Sequence, residues 1–159
     1  VGCSYGWFVA QMRGQGFRAS GVERDPAAIA VGQMVYQNAA DQVMRSDITR
    51  FLQGTLETFD AVSCFSVLHH FAIGRTAATA EELLQLLDRC TRKVLFLDTG
   101  QAHEQWFHES LSRWTIDFIE RWIVDHSRFR RVVRLGADQD NVGEFSENYG
   151  RMMFACFRE

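Results

Sequence analysis

No stretch of this chain is apolar for long enough to cross a bilayer, since every hydrophobic run falls short of the roughly 18 residues that a span needs. No CxxC pair occurs among Cys3, Cys64, Cys90 and Cys156, so neither a zinc ribbon nor a disulfide framework is indicated. Reduced thiols scattered in this way suit the cytoplasm. There is no excess of positive charge, the formal net charge being -3, and hence no reason to expect a nucleic acid or an anionic membrane as partner. Internal repeats, low-complexity linkers and a signal peptide are also lacking. Val1 reads as the middle of a structural element, so a native N-terminal segment is expected to be missing. What is present is 159 residues with 47% hydrophobic and 13% aromatic content. That suffices for a single domain over residues 1–159 with a core of its own, and it excludes disorder.

The chain alternates between two periodicities. Trp7 to Met12 suits a short helix ended by "RGQG", and "FRASGVE" (17–23) reads as a strand. In "RDPAAIAVGQMVYQNA" (24–39), Asp25 is placed to cap a helix whose first position is the only proline, Pro26,. "DQVMRSDI" predicts a strand ending at Ser46 and Asp47, and "FDAVSCFSVLHHF" holds an apolar run typical of a strand buried on both faces. "TAATAEELLQLLDRC" is helical by its leucine stripe, and "KVLFLDTG" is a buried strand ending at Asp98. Strand and helix in alternation predict a Rossmann-like, doubly wound α/β sheet, mostly parallel, with helices on both faces. Beyond Gly100, Trp106, Trp114, Phe118 and Trp122 fall broadly on one side of a predicted helix. "FRRVVRLG" and "YGRMMFACFRE" then predict a final strand pair, adding an antiparallel C-terminal strand at the edge of the sheet.

In an open α/β sheet, ligands bind beyond the carboxyl ends of the strands. The Gly2 to Gly6 turn, Glu23, Asp47, the segment Cys64 to His70 and Asp98 fall at those ends. Glycines in the first turn let the backbone come close to a ligand. Glu23 is placed to accept both hydroxyls of a ribose, and Asp47 to accept from an exocyclic amine. With these residues in this order, the sequence resembles the class I S-adenosylmethionine-dependent methyltransferases over nearly its whole length. "VGCSYG" is similar to that family's acid-x-Gly-x-Gly-x-Gly loop, with Ser4 in place of the middle glycine and the acid absent before Val1. The resemblance implies S-adenosylmethionine as cofactor, held by Gly2, Cys3, Ser4, Tyr5 and Gly6, by Glu23 with Arg24, by Asp47 and Ile48 of "SDI", and by Cys64, Phe65 and Ser66. "GCSYGWF", "SVLHHF" and "GRMMFACF" also resemble methyltransferase domains of some bacterial enzymes that modify surface polysaccharide or its phosphate terminus. The implied reaction is O-methylation of a small molecule, saccharide or phosphate acceptor by in-line transfer. Two other readings stand beside it: a non-catalytic methyltransferase-like binding domain, and a nicotinamide-binding Rossmann oxidoreductase, whose GxGxxG fingerprint "GCSYGW" does not fit.

A hydroxyl acceptor calls for a general base, and His69 and His70 are the candidates because imidazole titrates near neutrality; the other possibility is that one of them only packs. Asp98 is placed either to orient a histidine or the acceptor, or to cap a following helix with Thr99. Trp7 and Trp106 are candidates for the acceptor wall, against a plain core role. His103 and His108 with Glu104 and Glu109 do not make HExxH, so no metal is expected. Arg128, Arg130, Arg131 and Arg134 alternate between strand faces and read as a solvated edge, with a phosphate contact as the alternative.

Overall fold

The computed structural model describes residues 1–38, 41–140 and 142–159. The last expected position of the second helix, Ala39, and one position of the polar connection before the final strand, Asn141, lie outside them. Contacts divide the chain into two compact units, Val1–Thr55 and Leu56–Glu159.

The first unit holds α1 (Trp7–Gly14), β1 (Gly21–Glu23), α2 (Pro26–Tyr36), β2 (Val43–Arg45) and α3 (Ile48–Gly54). β1 and β2 pair in parallel, Gly21 with Val43 through Glu23 with Arg45. The strand expected over residues 17–23 keeps only its last three residues; Phe17, 59% exposed, belongs to the connection. α2 begins as its sequence dictates: Asp25 accepts the Ala27 N–H at 2.9 Å, and Pro26 occupies the position where a missing N–H costs nothing,. α3 was not foreseen. Asp47, read as a strand end, instead caps it by accepting the Thr49 and Arg50 N–H groups.

The second unit holds β3 (Phe59–Cys64), α4 (Leu68–Ala72), α5 (Ala80–Cys90), β4 (Thr91–Leu97), α6 (Ile116–Asp125), β5 (Arg131–Ala137) and β6 (Met152–Phe157). Its sheet order is β3-β4-β6-β5, with β3 and β4 parallel and β6 antiparallel to both of its neighbours. The C-terminal strand is thus antiparallel as expected, but it lies inside the sheet and β5 forms the margin. β6 is the better buried of the pair: Phe154, Ala155 and Cys156 are sealed against Leu95 and Leu97 of β4.

α5 has a reciprocal cap, in which Thr79 Oγ1 accepts the Glu82 N–H and Glu82 Oε2 accepts the Thr79 N–H,. Its Leu83, Leu84 and Leu87 are fully buried. The long aromatic helix expected after Gly100 is corrected. Residues 102–113 are turns, and the helix begins only after Thr115, whose hydroxyl accepts the Phe118 N–H. Trp106 therefore lies outside any helix, while the Trp114 and Trp122 rings meet at a tilt, 5.2 Å between centres. The arginines divide their roles. Arg134 pairs with Asp117 and Glu120, Arg128 with Asp88, and Arg131 sits 4.3 Å from the ring centre of Phe157. No helix among the described residues is long and apolar enough to cross a membrane.

Candidate functional site

In the first unit the glycine turn is held open by backbone conformations that few residues adopt. Gly2, Ser4 and Gly6 have φ of 64°, 49° and 72°, in the left-handed region where glycine carries no steric penalty. Gly2 and Cys3 both donate to the Val22 carbonyl, at 2.9 and 3.1 Å. The turn is thereby moored to β1.

Glu23, the last residue of β1, organises this end of the unit. Its Oε2 accepts the Ser4 N–H at 2.8 Å, and Oε1 accepts the Arg24 and Asp25 N–H groups at 2.8 and 2.9 Å. Each carboxylate oxygen carries two acceptor sites, so the group can serve the loop and still accept from a hydroxyl. Ser4, Tyr5 and Arg24 are exposed, and Ile48 is half-buried behind its capping Asp47. The Thr49 hydroxyl lowers the Asp47 pKa most; burial opposes it, and the Arg50 and Thr49 N–H groups and the Arg24 charge add to the lowering. All three bonds use Oδ1. Oδ2 takes no part in the cap.

Two residues that support the turn escaped the sequence reading. Asn38 donates its amide to the carbonyls of Tyr5 and Gly6, each at 3.3 Å. Gly32 of α2 lies so close that a Cβ there would stand 1.9 Å from the Tyr5 carbonyl oxygen. A glycine inside a helix costs stability, and this cost was the available signal. Trp7, the first residue of α1, is 53% exposed.

In the second unit the ends of β3, β4 and β6 are tied by a buried ion pair. Arg151, just before β6, is 2% exposed and Glu104 is 0%. Arg151 Nε and Nη2 meet the two Glu104 oxygens at 3.0 and 2.7 Å, a bidentate fork,. Its Nη1 donates to Ser66 Oγ at 2.7 Å. Glu104 also accepts the Gln101 N–H at 2.6 Å and the Tyr149 N–H at 3.3 Å. No local pattern marks Arg151 or its pairing with Glu104, since the bond to Ser66 joins residues 85 positions apart.

Asp98 follows β4 and accepts the Ser66 N–H at 2.6 Å, holding that residue at φ 55°. No helix starts there, so the capping alternative is corrected. Burial pushes the Asp98 carboxyl up to about 6, against the opposing pull of the Ser66 N–H and the Arg151 charge. Cys64 is wholly buried, and burial pushes its thiol up to about 12. Its side chain is closed off from any ligand. Its carbonyl accepts the Asp98 N–H at 3.3 Å, and half-buried Phe65 follows it.

The two histidines differ. His69 is buried, and its Nδ1 accepts the Gly100 N–H at 3.2 Å. Burial first, then the charges of His70, Arg151 and Arg75, depress its pKa to about 3. The ring is thus neutral near pH 7, with Nδ1 committed to the backbone. Its ring lies 4.2 Å from His70 and 4.8 Å from Phe107. His70 is half-buried. It lines a cavity of about 450 Å³ together with Ser66, Arg75, Trp106, Tyr149 and Arg151, among others, a volume suited to a small ligand. Trp106, 51% exposed, is anchored through its N–H to Asn148 Oδ1 at 3.0 Å. A cavity of similar size along α6 holds the Arg134 ion pairs, and no histidine lines it.

His103 and His108 face backbone carbonyls, of Tyr149 at 2.7 Å and of Gln105 at 3.3 Å. Among the described residues no cluster suited to a metal forms.

A family model described as a methyltransferase domain matches residues 1–94. The chain belongs to the class I S-adenosylmethionine-dependent methyltransferases. Solved structures share the methyltransferase fold. A S-adenosylmethionine-dependent methyltransferase from Archaeoglobus fulgidus is 14% identical with a TM-score of 0.68, over 98% of this chain and 83% of that one. WbdD, a bifunctional kinase-methyltransferase, is 18% identical with a TM-score of 0.74. That match covers 99% of this chain but only 34% of WbdD. Magnesium protoporphyrin IX methyltransferase from Synechocystis PCC 6803, solved with its cofactor bound, is 17% identical with a TM-score of 0.68 over 99% and 67% of the two chains. No curated protein matches the sequence.

Proposed function

We propose that this methyltransferase transfers a methyl group to an oxygen atom of a small molecule, a saccharide or a phosphate-bearing acceptor seated in the cavity of the second unit. The observation that carries the reading is the pairing, within that cavity, of a backbone-locked neutral His69 with a half-buried His70. The family match crosses the boundary between the two units, which supports treating residues 1–159 as one methyltransferase domain.

The first unit fits the donor. Left-handed backbone at Gly2, Ser4 and Gly6 leaves the loop open to close approach, and Gly32 and Asn38 hold its carbonyls from behind. We assign the donor to Gly2, Cys3, Ser4, Tyr5 and Gly6, with Glu23 and Arg24 at the ribose and Asp47 and Ile48 at the base; Phe65 and Ser66 remain candidates for its methionine part, and Cys64 through its backbone alone. The sulfonium supplies an electrophilic methyl group. The residues of this chain have only to orient a nucleophile and exclude water.

A hydroxyl acceptor must lose its proton as the C–O bond forms, and His70 takes it, the electron pair of the breaking C–S bond remaining on sulfur. His69 fixes the face against which His70 rests. Asp98 and Arg151 position the Ser66 turn from two sides, so we assign Asp98 a positioning role. Trp106 forms part of the acceptor wall. The four cysteines are free thiols, which supports a cytoplasmic location.

The test is methyl transfer from labelled donor to a panel of hydroxyl, phosphate, amine and thiol acceptors. Label on oxygen, with His70→Gln slowing transfer to hydroxyls by about 10²-fold or more, is expected. Label on nitrogen or sulfur, or donor binding without turnover across the panel, would overturn the assignment, the latter favouring a binding domain that has lost catalysis.

A further inference from the structure

The cavity has a charge pattern that methyl transfer to oxygen does not require. Among the described residues no carboxylate lines it, whereas Arg75 and Arg151 both do, on a chain whose net charge is -3. The two cations are not equivalent. Arg151 is committed to Glu104 and Ser66 through all of its donor nitrogens.

Arg75 is exposed, just beyond α4, where its backbone N–H is tied to the His70 carbonyl at 2.9 Å. It enters no ion pair among the described residues. Its charge is still felt at the neighbouring His69 ring, whose proton affinity it helps to lower. Aromatic rings complete the lining, Trp106, Phe107 and Tyr149; Trp106 meets Tyr149 edge-on at 5.4 Å and is backed by Phe145, outside the lining, at 6.0 Å. A half-exposed indole in contact with the Tyr149 and Phe145 rings offers a flat aromatic surface,.

We propose that the cavity selects acceptors carrying an anionic oxygen group, a phosphate or a carboxylate, beside a flat apolar face, with Arg75 as the residue that determines this specificity. A guanidinium meets such a group with two parallel N–H donors, and Trp106 stacks on the flat part. The inference rests on the cavity being the acceptor site.

Phenyl phosphate, benzoate and neutral benzyl alcohol are titrated calorimetrically into the full chain, with and without S-adenosylhomocysteine. At least one of the two anions binds about tenfold or more tightly than the alcohol, as expected for a charge-assisted pair. Arg75→Ala, a surface change that leaves the circular dichroism spectrum intact, removes that preference, and Trp106→Ala weakens all three probes together. Binding of phenyl phosphate alone identifies a phosphate acceptor, and equal binding of benzoate admits carboxylates. Equal affinity for the alcohol, absence of probe binding, or anion binding that survives Arg75→Ala overturns the proposal. Anion binding through Arg75 in a chain that does not take up S-adenosylhomocysteine would uphold the anion site and overturn the donor reading instead.

Discussion

Replacing Asp98 by asparagine separates two buried titrations that oppose each other in the native chain. Asp98 is 6% exposed and His69 is 5% exposed. On folding, the Asp98 carboxyl rises from 3.8 to about 6, and the His69 ring falls from 6.5 to about 3. Between about pH 4 and pH 6 the folded chain holds a proton on Asp98 that the unfolded chain has lost, so this group makes stability fall as pH rises. Over the same window the unfolded chain holds a proton on His69 that the folded chain lacks, so stability rises with pH by a similar slope. Each slope is about 1.4 kcal/mol per pH unit. They cancel.

Asparagine keeps an oxygen to accept the Ser66 N–H and removes the titration. The variant should match the native chain near pH 4 and exceed it by up to about 3 kcal/mol at pH 7. Its own stability should climb between those limits, because the His69 contribution is no longer masked. Urea unfolding followed by tryptophan fluorescence at half-unit pH steps reads both effects. A stability difference that does not change with pH, or an asparagine variant weaker than native at pH 7, would refute the reasoning.

Gly32→Ala should cost about 1–3 kcal/mol and weaken S-adenosylhomocysteine binding, since its Cβ would stand 1.9 Å from the Tyr5 carbonyl,. Gly14→Ala, with nothing within 4 Å of its Cβ, is the control, and denaturant titration with calorimetry compares the two. Arg151→Met should destabilise by about 3–5 kcal/mol in thermal or urea unfolding, because it leaves a buried carboxylate without its cation. Adding Glu104→Leu should recover only part of that loss, since Glu104 also accepts the Gln101 and Tyr149 N–H groups.

Local signals were legible in the sequence where they decide structure. Asp25 with Pro26 marks a helix start, and α2 forms with that cap; the leucine stripe marks α5, whose reciprocal Thr79–Glu82 cap the stripe does not encode. The strands ending at Cys64 and before Asp98 announce themselves by apolar runs, but burial of the first on both faces is corrected: in β3, which ends the order β3-β4-β6-β5, only Val62 and Cys64 are buried and Ala61 is exposed. α3 was hidden because it is only seven residues long, too short for a periodic stripe, although Asp47 followed by Thr49 carried the capping signal. The tryptophan segment misled because helical spacing of aromatics persists through residues 102–113, where the chain turns instead. Those turns are fixed by partners far away in sequence, Glu104 by Arg151 and Trp106 by Asn148, which no local pattern encodes.

For the candidate site, the strand-end rule points to the Gly2 to Gly6 turn, Glu23, Asp47, the Cys64 to His70 segment and Asp98 from sequence order alone. It did not distinguish His69 from His70. That distinction depends on the Gly100 N–H, 31 residues away, and on burial. Nor did it find Arg75, because an exposed arginine acquires meaning only when the cavity beside it proves to lack acids.

The most direct test of the account is isothermal titration of the chain with S-adenosylhomocysteine, with NAD as the control ligand. The account predicts saturable one-site binding of S-adenosylhomocysteine, lost in Glu23→Ala, and none of NAD. Binding of NAD, or silence towards both by a folded sample, would contradict it.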